Sequence, residues 1–116
     1  MKEIFIVEDD HDIRELIEFL LLGLEYEVKS FPTAEDFKEG ISDHIPDLIL
    51  LDIMLPDGNG LEICKDLRGE LETKDVPILI MSAHADESVI RGHCANDFIS
   101  KPFDIDDLVQ RINVHL

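Results

Sequence analysis

Runs of consecutive apolar residues mark the strands that this chain is expected to form. The three clearest runs are Ile4–Val7, Leu48–Leu51 and Pro77–Met81, and weaker candidates are Glu27–Phe31 and Phe98–Ser100. A strand that is covered on both faces is apolar throughout, whereas a half-exposed strand alternates apolar and polar residues. The three clear runs therefore predict central strands of a sheet with both faces covered.

Helical periodicity fills the intervals between these runs. A first helix is predicted after Asp10 or Asp12, either of which is a suitable N-cap. Its stripe has the spacing of an amphipathic helix and comprises Ile13, Leu16, Ile17, Leu20, Leu21 and Leu24. A second helix is predicted after Thr33, which forms a capping-box pattern with Asp36 three residues later.

Three more helices are predicted in the second half of the chain. The third begins at about residue 59 or 60 and ends at about residue 68, and a short fourth covers about residues 86–94. The closing helix opens at Asp104. Its expected core residues are Ile105, Leu108, Val109 and Ile112.

Strand and helix thus alternate five times with short connections. This alternation predicts an α/β fold with a doubly wound, five-stranded parallel sheet, because right-handed crossovers place helices on both faces. Polar groups follow four of the five strands: the acidic run Glu8-Asp9-Asp10, then Asp52, Ser82 and Lys101. Since ligands bind at the carboxyl ends of the strands in such sheets, these side chains are expected to share one crevice.

Composition narrows the possible partners and location. The chain has 116 residues, of which 27 are acidic and 10 are Lys or Arg, giving a formal charge of −17. Such a surface repels a nucleic-acid backbone, so no direct binding to nucleic acid is expected. No apolar run approaches the ~20 residues of a membrane span. The start of the chain enters a strand rather than a signal peptide, and a cytoplasmic, single-domain protein is predicted.

The cysteines and histidines lack the spacing of metal ligands. Cys64 and Cys94 fall in predicted helices, so buried reduced thiols are expected rather than a disulfide or a zinc site. Solvated or capping roles are expected for the histidines, which are His11, His44, His84, His93 and His115. His84 is the exception to watch, because it follows Ser82 by two residues and is placed to overhang the crevice.

The chemistry expected of this crevice is phosphoryl transfer to a carboxylate. Crowded carboxylates repel one another unless a cation lies between them. Oxygen ligands favour Mg²⁺ or Mn²⁺ over zinc or iron. Asp52 is the candidate nucleophile, with Lys101 to neutralise the phosphoryl oxygens and Ser82 to donate a hydrogen bond.

At this point the chain resembles the receiver domain of two-component response regulators over essentially its whole length, residues 1–116. The matching stretches lie at residues 6–10, 50–60, 81–83 and 96–103. The resemblance implies a flavodoxin-like strand order 2-1-3-4-5. It also implies roles for individual residues.

By this resemblance Asp52 is the phosphoacceptor. Glu8 and Asp9, with Asp52 and the backbone carbonyl of Met54, are the implied ligands of Mg²⁺ (or Mn²⁺). Ser82 corresponds to the switch hydroxyl and Phe98 to the switch aromatic residue. Lys101 corresponds to the lysine that pairs with the phosphoryl group, before a cis Pro102.

The implied function is a phosphorylation-dependent switch. A sensor histidine kinase or a phosphotransfer protein would donate the phosphoryl group to Asp52, and Ser82 and Phe98 would then move. The domain would assist its own phosphorylation and dephosphorylation without turning over a small substrate, and in that sense it is not an enzyme. The face formed by the predicted fourth and fifth helices would serve for a homodimer or an effector.

Three features depart from the usual pattern. Glu8 stands where Asp is commoner, and Cys94 stands where a small residue is usual. Ser82 and Phe98 are 16 positions apart, nearly one helical turn fewer than is usual, so the fourth helix is expected to be short. Residues 84–95 are then predicted to be the loosest part of the domain, with a firmly packed short helix as the alternative.

Two other classes of protein share parts of this pattern. A haloacid-dehalogenase-like phosphatase needs a second Asp two residues after the nucleophile, where this chain has Met54, expected either to shield the phosphoryl group or simply to pack. A flavin-binding electron carrier needs a hydroxyl-rich loop after the first strand, where this chain has acids. Whether the chain is a stand-alone receiver or a piece of a longer protein stays open.

Overall fold

A five-stranded parallel sheet forms the centre of the computed structural model, which describes residues 1–83 and 94–116. In chain order the strands are β1 (Glu3–Val7), β2 (Glu27–Phe31), β3 (Leu48–Asp52), β4 (Met54–Leu55), β5 (Gly58–Asn59), β6 (Ile78–Ser82) and β7 (Asp97–Ser100). The order across the sheet is β2-β1-β3-β6-β7, and every pair is parallel. Since β4 and β5 form a separate ribbon, this is the predicted order 2-1-3-4-5.

The helices begin where the sequence predicts them. Within the described ranges they are α1 (His11–Gly23), α2 (Ala34–Asp43), α3 (Gly60–Arg68) and α4 (Ile105–His115). Each begins after a side chain that accepts hydrogen bonds from the first-turn amides, and these caps are Asp10, Thr33, Asn59 and Asp104. The short helix predicted at about residues 86–94 and the looseness predicted for residues 84–95 rest almost entirely on residues 84–93, which lie outside the described residues.

Alternate residues of the strands point to opposite faces, and each face has its own core. One face packs under α2 and α3, with Phe5, Leu51 and Ile80 from the strands and Phe37 from α2. The other packs under α1 and α4, where Ile17 and Leu21 meet Leu108 and Ile112. Helices therefore cover both faces of the sheet, as predicted.

The predicted helix stripes are wider than the buried faces. Leu16, Leu24 and Ile105 were expected to be buried, yet their exposed fractions are 44%, 47% and 42%. The fully buried positions are Ile17 and Leu21 in α1 and Leu108 and Ile112 in α4, and the flanking positions of these two stripes are partly exposed. None of the helices within the described ranges is long and apolar enough to cross a membrane.

A short antiparallel ribbon after β3 is an element that the apolar pattern does not predict. Met54 pairs with Asn59 and Leu55 with Gly58, which brings the chain straight back to the end of β3. The Gly60 amide then donates to the Ile53 carbonyl at 2.7 Å. A Cβ at Gly60 would lie 2.1 Å from the Asp52 carbonyl oxygen, so only glycine allows α3 to begin this close to Asp52.

The expectation that both cysteines are reduced is wrong for this structure. A disulfide joins Cys64 of α3 to Cys94, which lies in a bend before β7 rather than in a helix. The two Cα atoms are 5.9 Å apart. The sequence separation of 30 residues carries no local sign of this pairing, which arises because α3 packs beside the chain that enters β7.

Candidate functional site

The carboxyl ends of four parallel strands bring the predicted site residues to one edge of the sheet. Asp52 ends β3 and Ser82 ends β6, and both residues are buried. Glu8 directly follows β1 and is also buried, while Lys101 directly follows β7. The Lys101 amide donates to the Ser82 carbonyl at 2.8 Å. The Lys101–Pro102 peptide bond is cis, as the resemblance implied.

Three carboxylates meet at this edge. One oxygen from each of Glu8, Asp9 and Asp52 lies within 4.8 Å of the others. Asp9 is exposed, and it leaves the cluster open to solvent on one side. The Arg14 guanidinium supports the turn from α1 by donating to the backbone carbonyls of Glu8 at 2.9 Å and Asp9 at 3.4 Å.

Lys101 donates hydrogen bonds to two of the three carboxylates but does not pair with every buried oxygen of the cluster. Its Nζ donates to Glu8 Oε1 and, at 3.2 Å, to Asp52 Oδ2. Glu8 Oε2 is buried and has no hydrogen-bond partner among the described residues. Because nearly all buried polar atoms in proteins have a partner, this orphaned oxygen beside two more carboxylates suits a hard cation with oxygen ligands. The residues present therefore fit Mg²⁺.

The pKa shifts of Glu8 and Lys101 also fit a site for a divalent cation. Burial raises the pKa of the Glu8 carboxyl to about 8, and Asp52 adds to the rise while Lys101 opposes it. Burial disfavours the charge on Lys101, but the Glu8 and Asp52 carboxylates outweigh that effect and raise the pKa of the lysine. At neutral pH the cluster thus binds a proton that a divalent cation would displace.

The remaining predicted residues have different surroundings. Phe98 is half-buried in β7, opposite Ile80, and packs against the core under α2 and α3. Met54 is 72% exposed, so the expectation that it simply packs does not hold, whereas shielding of a phosphoryl group stays a prediction. His84 lies outside the described residues. His11, His44 and His115 each lie beside a carboxylate.

Sequence reasoning missed two residues that hold the site in place. Arg14 is one, and its only signal is that it is the single Lys or Arg of α1. Asp57 is the other: its carboxylate accepts from the amides of Ala34 at 2.7 Å and Glu35 at 3.0 Å. These bonds lower the pKa of Asp57 and tie the loop after Asp52 to the start of α2. Nothing next to Asp57 in the sequence announces partners 22 or 23 residues away.

The sheet order and its acidic edge define a doubly wound, flavodoxin-like α/β protein with an oxygen-ligand site at the carboxyl ends of the strands. The family model of the response regulator receiver domain matches residues 4–113. The chain belongs to this family. The predictions of family and fold class are therefore confirmed.

Individual relatives agree with the family match. The response regulator ArlR of Staphylococcus aureus is 39% identical over 119 aligned residues, which cover 100% of this chain and 53% of ArlR. The chain thus spans about half the length of the curated relatives it matches.

Solved structures are similar over nearly the whole chain. A putative response regulator from Chloroflexus aurantiacus has a TM-score of 0.89 at 34% identity, and the match covers 98% of this chain and 96% of that one. The response regulator TrrA from Thermotoga maritima, in complex with Mg²⁺ and beryllofluoride, has a TM-score of 0.87 at 29% identity and is matched over 100% of both chains.

Proposed function

We propose that this chain is a phosphorylation-dependent switch in which Asp52 accepts a phosphoryl group from the phosphohistidine of a histidine kinase or a phosphotransfer protein. The observation that carries the proposal is the placement of Asp52. It is buried at the end of a central strand, two carboxylates lie within 4.8 Å of it, and the Lys101 ammonium lies 3.2 Å away. A nucleophile, a cation site and a fixed positive charge therefore meet at one point, as phosphoryl transfer requires.

Glu8, Asp9, Asp52 and the Met54 backbone carbonyl are the proposed ligands of Mg²⁺ (or Mn²⁺). Support comes from the orphaned Glu8 oxygen, from the all-oxygen donor set and from the Mg²⁺ in the TrrA structure. When bound, the ion would neutralise charge on the phosphoryl oxygens.

The protein residues then have separate parts in the transfer. A carboxylate oxygen of Asp52 attacks phosphorus, the bond from phosphorus to the imidazole nitrogen of the donor breaks, and an acyl phosphate forms on Asp52. Lys101 pairs with a phosphoryl oxygen and Ser82 donates a hydrogen bond to another. Water later hydrolyses the acyl phosphate, so the domain assists its own modification and its reversal without turning over a small substrate.

The conformational response is proposed to pass from Ser82 to Phe98. The two residues lie on neighbouring strands, and Ser82 is in register with Ser100, so a shift at the end of β6 reaches β7 directly. A changed surface beside α4 would then bind an effector or a second copy of the domain. We place this single receiver domain, residues 1–116, in the cytoplasm, with no direct contact to nucleic acid.

Beryllofluoride, a mimic of the phosphoryl group, provides the test. In fluorine NMR the wild-type chain should show a bound beryllofluoride signal only with Mg²⁺ present, and acetyl phosphate should add one phosphate to its mass. Asp52→Asn should abolish both results, because an amide is neither a nucleophile nor an anionic ligand.

Asp66→Asn is the matched control, since it makes the same chemical change at an exposed residue of α3. It should retain both the signal and the added mass. Undiminished phosphate uptake by Asp52→Asn would disprove the assignment of the phosphoacceptor.

A further inference from the structure

The disulfide between Cys64 and Cys94 joins two elements on which the proposed switch depends. Cys64 lies one helical turn after Gly60, whose backbone packs against the Asp52 carbonyl. Cys94 lies three residues before β7, the strand that carries Phe98 and leads into Lys101. A covalent bond at this point links the helix beside the phosphoacceptor to the strand that bears the switch aromatic residue.

A second attachment between the same elements does not depend on the cysteines. Arg68, one turn beyond Cys64 on α3, donates to the Cys94 carbonyl at 2.9 Å and to Asn96 Oδ1 at 2.6 Å. Asn96 in turn exchanges two hydrogen bonds with Ile78 of β6, each 2.9 Å long. Reduction of the disulfide would remove the covalent link at Cys94, while the hydrogen bonds from Arg68 to Cys94 and between Asn96 and Ile78 do not require it.

The two cysteine residues differ in exposure, as expected for a site that an oxidant attacks at one residue and the other resolves. Cys64 is fully buried in the core under α2 and α3, and Cys94 is only partly buried at the edge of that core. An oxidant from solvent therefore reaches Cys94 first, and Cys64 is positioned to resolve the product. A Cα separation of 5.9 Å lies within the ordinary range for disulfides.

We propose that Cys64 and Cys94 are a reversible redox site that restrains the switch, with a hydroperoxide as the oxidant. The Cys94 thiolate attacks the peroxide, the O–O bond breaks, and a sulfenic acid and one water form from hydrogen peroxide. The Cys64 thiol displaces the sulfenic oxygen as a second water, and the Sγ–Sγ bond forms; two thiols have lost two electrons and two protons. A cellular dithiol reverses the reaction by exchange.

The restraint rests on the proposed function and acts on its conformational step. In the oxidised domain, the chain that enters β7 is attached to α3 at two points, so a displacement of Phe98 must distort the disulfide or carry α3 with it. In the reduced domain the hydrogen bonds from Arg68 remain, but no covalent bond between Cys64 and Cys94 opposes that displacement. A ligand that favours the displaced arrangement then binds the reduced domain more tightly. Disulfides in the cytoplasm are commonly of this transient, sensing kind.

The test compares the oxidised, reduced and cysteine-free forms of the whole chain. Treatment of the reduced protein with hydrogen peroxide should lower its mass by about 2 Da, as expected for loss of two hydrogens, and a dithiol reductant should restore it. With Mg²⁺ present, beryllofluoride should bind the oxidised form at least about fivefold more weakly than the reduced form, a typical coupling between two sites.

The variant Cys64→Ser/Cys94→Ser should bind beryllofluoride as the reduced wild type does, with or without peroxide. If that variant does not fold, Cys94→Ser, which changes only the partly buried residue, replaces it. Reduced thiols that survive peroxide would overturn the redox site. Equal affinity in the oxidised and reduced forms would leave a purely structural disulfide and overturn the restraint. Failure of the reduced wild type to bind beryllofluoride would instead overturn the proposed switch, together with the restraint that depends on it.

Discussion

The two ends of the sheet use acidic residues in opposite ways. At the amino ends of the strands, Asp47 Oδ2 accepts from the Glu3 amide at 2.7 Å, and Glu3 Oε1 lies 2.5 Å from His44 Nε2. At the carboxyl ends, Glu8 and Asp52 share the single ammonium group of Lys101, and one oxygen of Glu8 has no partner within residues 1–83 and 94–116.

The acids at the two ends of the sheet differ in how fully the fold satisfies their carboxylate oxygens. Glu3 and Asp47 close hydrogen bonds between neighbouring segments, and nothing further is needed to hold them. Glu8 and Asp52 are more deeply buried and less satisfied, which is costly for the isolated domain. Buried and incompletely paired carboxylates at a strand end indicate a binding site, because a bound cation would offset the free energy cost of burying their charge.

The largest expected effect is on Mg²⁺ affinity. The same change, Glu to Gln, should weaken Mg²⁺ binding at the carboxyl ends of the strands and not at the amino ends. Glu8→Gln should weaken Mg²⁺ binding at least about 100-fold, because a unit charge about 4 Å from the ion contributes several kcal/mol even at an effective dielectric constant of ~20. Isothermal titration calorimetry measures the change.

Glu3→Gln is the matched control at the other end of the same strand. Glu3 lies about 17 Å from Glu8 along β1, beyond the screening length at physiological salt, so its loss should leave Mg²⁺ affinity nearly unchanged. Equal losses in both variants would mean that the acidic edge is not the ion site.

The pH dependence of stability should differ between the metal-free and the Mg²⁺-bound domain. The pKa of Glu8 is raised in the folded state from 4.5 to about 8, so between these values the folded domain retains a proton that the unfolded chain has released. The free energy of unfolding should therefore fall as pH rises from about 5 to 8, by on the order of 3 kcal/mol. Urea unfolding at several pH values measures this slope.

Mg²⁺ should abolish most of that slope by displacing the proton, and Glu8→Gln should lack it without metal. A slope that is the same in Glu8→Gln would assign the pH dependence to other groups.

The smallest expected effect comes from the other end of the sheet. Hydrogen bonds to Glu3 and then to Asp43 raise the pKa of His44. The stabilisation by this histidine is therefore complete below its ordinary pKa of 6.5 and is lost as pH rises through the higher value of the folded state. His44→Gln, made in the Glu8→Gln background, should flatten the weak slope that remains. Mg²⁺ should not change this component, and a dependence on Mg²⁺ would contradict the separation of the two ends.

Most residues of the candidate site could be predicted because local sequence patterns indicate where they lie in the fold. The apolar runs before Glu8, Asp52 and Ser82 predict buried strands, and the carboxyl ends of parallel strands share an edge. Lys101 needed more help, since the strand before it is short. The strand pattern still placed Lys101 after the fifth strand, and the resemblance of the surrounding stretch to receiver domains added support for that position.

The amino-acid sequence alone determined the five strands of the parallel sheet, the helix starts, the acidic edge and the family, because all of these follow from periodicity and from chemistry within a few residues. Only the tertiary structure decided that Cys64 meets Cys94, that Asp57 caps α2 and that Leu16 faces solvent. These outcomes depend on how closely separate elements pack and on how much of each helix the sheet can cover. Packing of this kind joins residues that are 20 to 30 positions apart, and no local pattern records it.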